Sequence, residues 1–237
     1  MERWFLKSII LTLLTAGIAM GNSFVFVTPA GATTSGPVSA EADFTTSAGQ
    51  IIVNLKNLDT ANQMVDVAQA LSDLSFTISG TGAAVNDANR TYTSTFIDVA
   101  ANGAVTAASG TTNGWDFSGS GSSYLLEDLG SLAGPAQLIL GGAGAASYTS
   151  ANGSIAGNPG HNPFLQGSAL FTLDIGGVTS ATNITGATFS FGTTAGAPGS
   201  DIPGVPSGVP EPRLETLLML VLMVPAVVYF RRKAPVS

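Results

Sequence analysis

The chain contains no cysteine. Disulfides, thiolate nucleophiles and sulfur-ligated metals are excluded, and stability has to come from burial, which a domain of this size can supply. There is one histidine, His161, so no two-histidine metal site can be assembled. Cations are almost missing from the middle of the chain. Between Thr33 and Val209 only Lys56 and Arg90 are basic, against twelve Asp and Glu residues. Such a body repels phosphate backbones and anionic headgroups, which argues against nucleic acid as a partner.

The apolar residues concentrate at the two ends. Met1–Lys7 carries Arg3 and Lys7, and Ser8–Met20 (SIILTLLTAGIAM) is apolar. Together they have the n-region and h-region of a secretory signal peptide. Ala30-Gly31-Ala32 is a small-x-small site, so the expected signal peptide is 1–32, cut after Ala32 by signal peptidase. An earlier cut after Gly21 is open through Ala19 and Gly21. Ser23–Val27 (SFVFV) prolongs the apolar stretch and leaves an uncleaved anchor as a further alternative.

At the other end stand Val209-Pro210-Glu211-Pro212, then the uncharged run Thr216–Phe230, then Arg231-Arg232-Lys233. A helix over that run is roughly 23 Å long, short for a bilayer core of about 30 Å. Leu214 extends it and Arg231 can snorkel, so a transmembrane helix is expected over 214–230. Pro225 is tolerated in such a segment. Tyr229 and Phe230 fall at the interface, and the basic cluster places the C-terminus on the cytoplasmic side.

This three-part order resembles the PEP-CTERM sorting signal of exported bacterial proteins. Val209, Pro210, Glu211 and Pro212 match its motif, and Arg231, Arg232 and Lys233 its basic stop-transfer cluster. The resemblance lies mainly in the tail, about Val209 to Lys233. It implies recognition by an exosortase, a transpeptidase-like membrane enzyme acting at the outer face of the inner membrane and releasing the protein from its tail.

The body between the ends is rich in glycine, serine, threonine and alanine, with alternating segments separated by turn residues. Gln50–Lys56 puts Ile51, Val53 and Leu55 on one face; Leu74–Ser79 does the same with Leu74, Phe76 and Ile78. Thr91–Val99, Ala136–Leu140, Ala169–Ile175 and Ala187–Phe191 are further predicted strands. Thr60–Ser72 instead places Met64, Val67, Ala68 and Leu71 at helical spacing, which predicts one short amphipathic helix. The expected fold is mainly β: an antiparallel sandwich over 33–195 with that helix. The signal-peptide helix and the transmembrane helix flank it. A Gly/Pro-rich linker is expected over 196–208, followed by the sorting signal over 209–237.

Candidate chemistry in the body is sparse. His161, in Asn-Pro-Gly-His-Asn-Pro, can be a general base, but reads better as a turn residue. No Gly-x-Ser-x-Gly elbow anchors a serine nucleophile. Glu127 and Asp128 are a carboxylate pair, yet neighbours on a strand face opposite ways. Asn86-Asp87-Ala88-Asn89 is oxygen-rich but lacks the full EF-hand spacing, and reads as a turn. Trp115, Tyr124 and Tyr148 would stack on sugars only if exposed together; core packing is the simpler expectation. Asn89, Asn152 and Asn183 begin N-x-S/T triplets, common in so Thr/Ser-rich a chain.

No catalytic, cofactor-binding or metal residue is therefore assigned. The expected function is that of a non-enzymatic cell-envelope or extracellular-matrix protein, with exopolysaccharide as a further partner. A carbohydrate- or calcium-binding adhesin, or a secreted hydrolase, are the alternatives.

Overall fold

In the computed structural model, residues 21–110, 114–130, 135–194 and 199–208 are described. The chain divides into two compact units, residues 1–207 and 208–237, and the fold below is that of the first. The predicted signal peptide up to Met20, the sorting motif, the 214–230 helix and the basic tail lie outside the described residues. No helix among the described residues is long and apolar enough to cross a membrane.

The protein is mainly β, as its alternating segments predict. Among the described residues twelve strands belong to one hydrogen-bonded network. They are β1 (Asn22–Val27), β2 (Ala40–Ser47), β3 (Gln50–Asn57), β4 (Leu71–Val85), β5 (Arg90–Val99) and β6 (Val105–Ala107). The rest are β7 (Asp116–Glu127), β8 (Ile139–Leu140), β9 (Phe164–Asp174), β10 (Ile184–Phe191), β11 (Asp201–Pro203) and β12 (Val205–Pro206).

Two antiparallel runs can be followed through it. One is β12-β1-β2-β3-β9-β5-β6 and the other β11-β10-β4-β7. The separate sheets expected of a sandwich are joined. Short β8 pairs with β4 at Leu71 and lies parallel to β9 at Leu165. At the other side a single residue, Gly204, carries the chain from β11 in one run to β12 in the other, its N–H bonded to Ala187 O at 2.8 Å. The sheet is thus nearly closed, which leaves fewer strand edges open to other chains.

Period-two burial builds the interior. Along β3, Ile51, Val53 and Leu55 are fully buried while Ile52, Asn54 and Lys56 are half-buried. β2 matches it with Ala40, Ala42 and Phe44. Ala48-Gly49 closes this hairpin, and Gly49 at its second position takes a positive φ of 76°, a conformation glycine adopts without steric cost. Phe44 of β2 meets Phe76 of β4 across the core at 5.3 Å, and Phe171 of β9 meets Trp115 and Tyr92, each at 5.2 Å. Each such buried side chain contributes about 1.5–3 kcal/mol relative to exposure. A second cluster (Met64, Ile97, Leu140, Tyr148, Ile155 and Phe164 among it) forms around the loops that follow β3 and β8.

Three expectations are corrected. The helix over Thr60–Ser72 is not formed: the segment is turns, a one-turn 3-10 helix at Val67–Gln69, and the start of β4. Of the segment's four residues at helical spacing, Met64, Val67 and Leu71 are buried and Ala68 is half-buried, while Val65 between them is exposed. Its polar residues divert the backbone. Asp66 caps Ala68 N at 2.9 Å, and Gln69 Oε1 accepts from Val65 N and Asp66 N, bonds that compete with helix propagation. Within the expected 196–208 linker, residues 201–206 instead pair as β11 and β12. And the folded unit begins before Thr33, because β1 is a full member of the sheet.

Candidate functional site

The single histidine is held in a loop. His161 Nδ1 lies 2.7 Å from Ser154 O and 3.2 Å from Asn158 Nδ2, and its ring packs edge-on against Phe164 at 6.3 Å. The hydroxyl of the same Ser154 is engaged with Val67 N at 2.9 Å and Asn152 Oδ1 at 2.6 Å. The geometry is that of a loop clamp.

Asn86-Asp87-Ala88-Asn89 closes on itself. Asn86 Oδ1 accepts from Ala88 N at 3.0 Å and Asn89 Oδ1 from Asn86 N at 3.1 Å, a reciprocal cap on a 3-10 turn. Asp87 Oδ1 accepts from Phe117 N at 2.7 Å. These oxygens position the turn against β7. Among the described residues no group of three or more His, Asp or Glu is placed to hold a metal ion.

Trp115, Tyr124 and Tyr148 are all buried, as expected of core residues. Their polar tips find backbone carbonyls: Trp115 Nε1 donates to Gln137 O (3.0 Å), Tyr124 OH to Ala83 O (3.1 Å) and Tyr148 OH to Gly141 O (2.7 Å). They present no stacking platform.

The two carboxylates of Glu127 and Asp128 do separate. Glu127 is half-buried and Asp128 fully buried. Asp128 has a different companion, Asp73 on β4, where Asp73 registers opposite Glu127. Asp128 N is 3.2 Å from Asp73 Oδ1 and 3.0 Å from Ser72 O. Burial pushes Asp73 up to about 6, opposed by bonds from the Leu129 N–H, the Ser72 hydroxyl and the Asp128 N–H. Burial, then the charges of Asp73 and Asp116, pushes Asp128 up to about 9. Among the described residues neither Asp128 oxygen has a hydrogen-bond partner. The pair can hold a proton at neutral pH beside a carboxylate. Asp128 is closed to solvent, so the pair is a feature of the folded interior. Sequence reasoning missed Asp73, because cross-strand register brings it there. Its only signal was an acid immediately before the alternating segment Leu74–Ile78.

The two cations of the body serve the sheet. Lys56 Nζ bridges Glu41 (2.6 Å) and Asp43 (2.5 Å) on neighbouring β2. Arg90 lies 3.8 Å from Asp116 and over the Tyr92 ring at 5.6 Å. Three clefts of about 450–490 Å³ open on the described surface. One of about 450 Å³ is lined by Thr33, Thr34, Ser35, Asp66, Phe191 and Ser200. Its one carboxylate, Asp66, is taken by Ala68 N and by Asn152 Nδ2 at 2.7 Å. His161, Glu127, Asp73 and Asp128 line neither this cleft nor the next two.

The sorting residues Val209, Pro210, Glu211 and Pro212, and the cluster Arg231, Arg232 and Lys233, lie outside the described residues. Ala30 and Ala32 are described and sit in the turn that follows β1. The chain matches no family model, no curated protein and no solved structure.

Proposed function

We propose that this is a non-enzymatic exported protein of the cell envelope or extracellular matrix, sorted and cleaved at its C-terminal Pro-Glu-Pro signal. The observation that carries this is the order of the tail: Pro210-Glu211-Pro212, an uncharged apolar run, and three consecutive cations. The run is the transient inner-membrane helix, and the cations hold its end in the cytoplasm. Signal peptidase removes the N-terminal helix, and an exosortase-type enzyme takes the other end. The mature β body then leaves the inner membrane for the cell surface or matrix, where exopolysaccharide is its partner by proximity.

The body supports this reading in two ways. Its acidic, cysteine-free composition suits a water-exposed compartment without relying on oxidative folding. Its histidine and aromatic tips, and its oxygen-rich loop, are engaged in internal bonds. Ser207 and Gly208 alone separate the last paired residue, Pro206, from Val209, so the folded unit and the sorting signal follow each other directly in sequence.

The test is a Pro210→Ala/Pro212→Ala double variant expressed in a host carrying an exosortase. The expected outcome is full-length protein retained in the inner-membrane fraction, while the unaltered chain is released. Equal release of both would overturn the proposal.

A further inference from the structure

The strand β1 lies inside the segment expected to be removed on export. All six of its residues register with β2, from Asn22 opposite Thr46 to Val27 opposite Glu41. Its other side is, among the described residues, the one strand partner of β12, through Phe26–Pro206 and Val27–Val205, with Ser207 N bonded to Val25 O at 2.8 Å. Phe26 is 4% exposed and stands edge-on to Phe44 at 6.1 Å. Losing β1 would strip the backbone of β2, uncover Phe44 and leave β12 with nothing to pair with.

The Ala30-Gly31-Ala32 site is itself part of the fold. Ala32 N bonds Pro29 O at 3.1 Å, Val38 N bonds Ala32 O at 3.0 Å, and Gly31 takes a φ of +79° in the turn between. Thr28 is tied twice to Ala40, through its N–H to Ala40 O and its Oγ1 from Ala40 N. Beyond the turn, Thr34 Oγ1 donates to Ala68 O at 2.7 Å. The small residues on both sides of the site are thus structural. By contrast the first described strand starts at Asn22, and the preceding sequence Ala19-Met20-Gly21 has small residues at both positions a signal peptidase reads.

We propose that signal peptidase cuts this chain between Gly21 and Asn22 in place of the site after Ala32, so that the exported protein starts with β1. The inference rests on the export reading above. Water adds across the Gly21–Asn22 peptide bond. Its hydroxyl goes to the Gly21 carbonyl carbon, which becomes a carboxylate, and the nitrogen leaves as the α-amine of Asn22. Nothing is oxidised or reduced. The new ammonium sits on an exposed residue at the end of β1, where its charge stays hydrated.

The experiment is intact-mass measurement and N-terminal sequencing of the full chain after export. The expected first residue is Asn22. An exported product starting at Thr33, eleven residues later, or one that keeps Met1, overturns the cut but leaves export standing. A chain that keeps Met1 in the cytoplasm overturns export and the cut together. Two variants separate the sites further. Ala19→Leu is expected to accumulate uncut precursor at least tenfold over the unaltered chain, and Ala32→Leu to be processed normally. The reverse pattern overturns the proposal.

Discussion

Asp128→Asn is expected to stabilise the protein at neutral pH and to do less at acid pH. In the unfolded chain the carboxyl titrates near its ordinary value of 3.8, whereas burial, aided by Asp73 and Asp116, holds it near 9 in the fold. A folded pKa raised above the unfolded one means stability is fully present below about pH 4 and is lost as pH rises toward 9. By pH 7 about three pH units have passed, each worth about 1.4 kcal/mol, so the loss reaches up to about 4 kcal/mol. Asparagine cannot ionise and escapes it. Its unpaired amide adds a cost that is the same at every pH, so the pH-dependent part of the difference reports the carboxyl alone. Asp59 and Asp73, both pushed up to about 6 by burial, titrate in both proteins and pull the same way. Asp66, lowered first by the Ala68 N–H, pulls the opposite way in both. The assay is urea denaturation at pH 4 and pH 7. At a slope of about 2 kcal/mol/M the variant should gain up to about 2 M in midpoint relative to the unaltered protein between the two values. Midpoints that move in parallel would refute the buried, unpartnered carboxyl.

Phe26→Ala should cost about 3–5 kcal/mol, because it empties a packed site against Phe44; a midpoint unchanged in denaturant would mean that β1 is not part of the folded unit. Asn57→Leu should cost about 1–3 kcal/mol or more. Its Nδ2 satisfies the buried carbonyls of Gln69 at 2.9 Å and Ile139 at 3.0 Å, joining β3 to the 3-10 turn and to β8. Lys56→Met should change stability by less than about 1 kcal/mol despite its two ion pairs, and any loss should shrink in high salt; a larger, salt-insensitive loss in thermal melts would contradict the surface character of that bridge.

Some strands are legible because their residues alternate by size as well as polarity. β3, β9 and β10 are of this kind: Ile51, Val53 and Leu55, then Phe171 and Leu173, then Phe189 and Phe191 all point inward as read. β2 and β7 are not. Ala40 and Ala42 are too small to mark a face, and the Gly-Ser run at 119–123 reads as loop until its partner β4 is beside it. β1 was hidden by its neighbour, since SFVFV continues the hydrophobicity of the run before it. The helical spacing of Met64, Val67 and Leu71 was a true sign of burial and a false sign of helix, because burial around a turn can meet the same intervals.

The sequence alone settled that the body is β-rich, acidic and free of thiol chemistry, because composition and period-two alternation are properties of neighbouring residues. It also contained the tail motif, whose order is linear. Tertiary structure decided where the folded unit starts and stops, which acid sits beside Asp128, and whether the aromatics are buried. Those are outcomes of pairing between segments far apart in the chain, as when β12 finds β1. No local pattern encodes such pairing, since strand edges carry the same backbone donors and acceptors whatever their side chains.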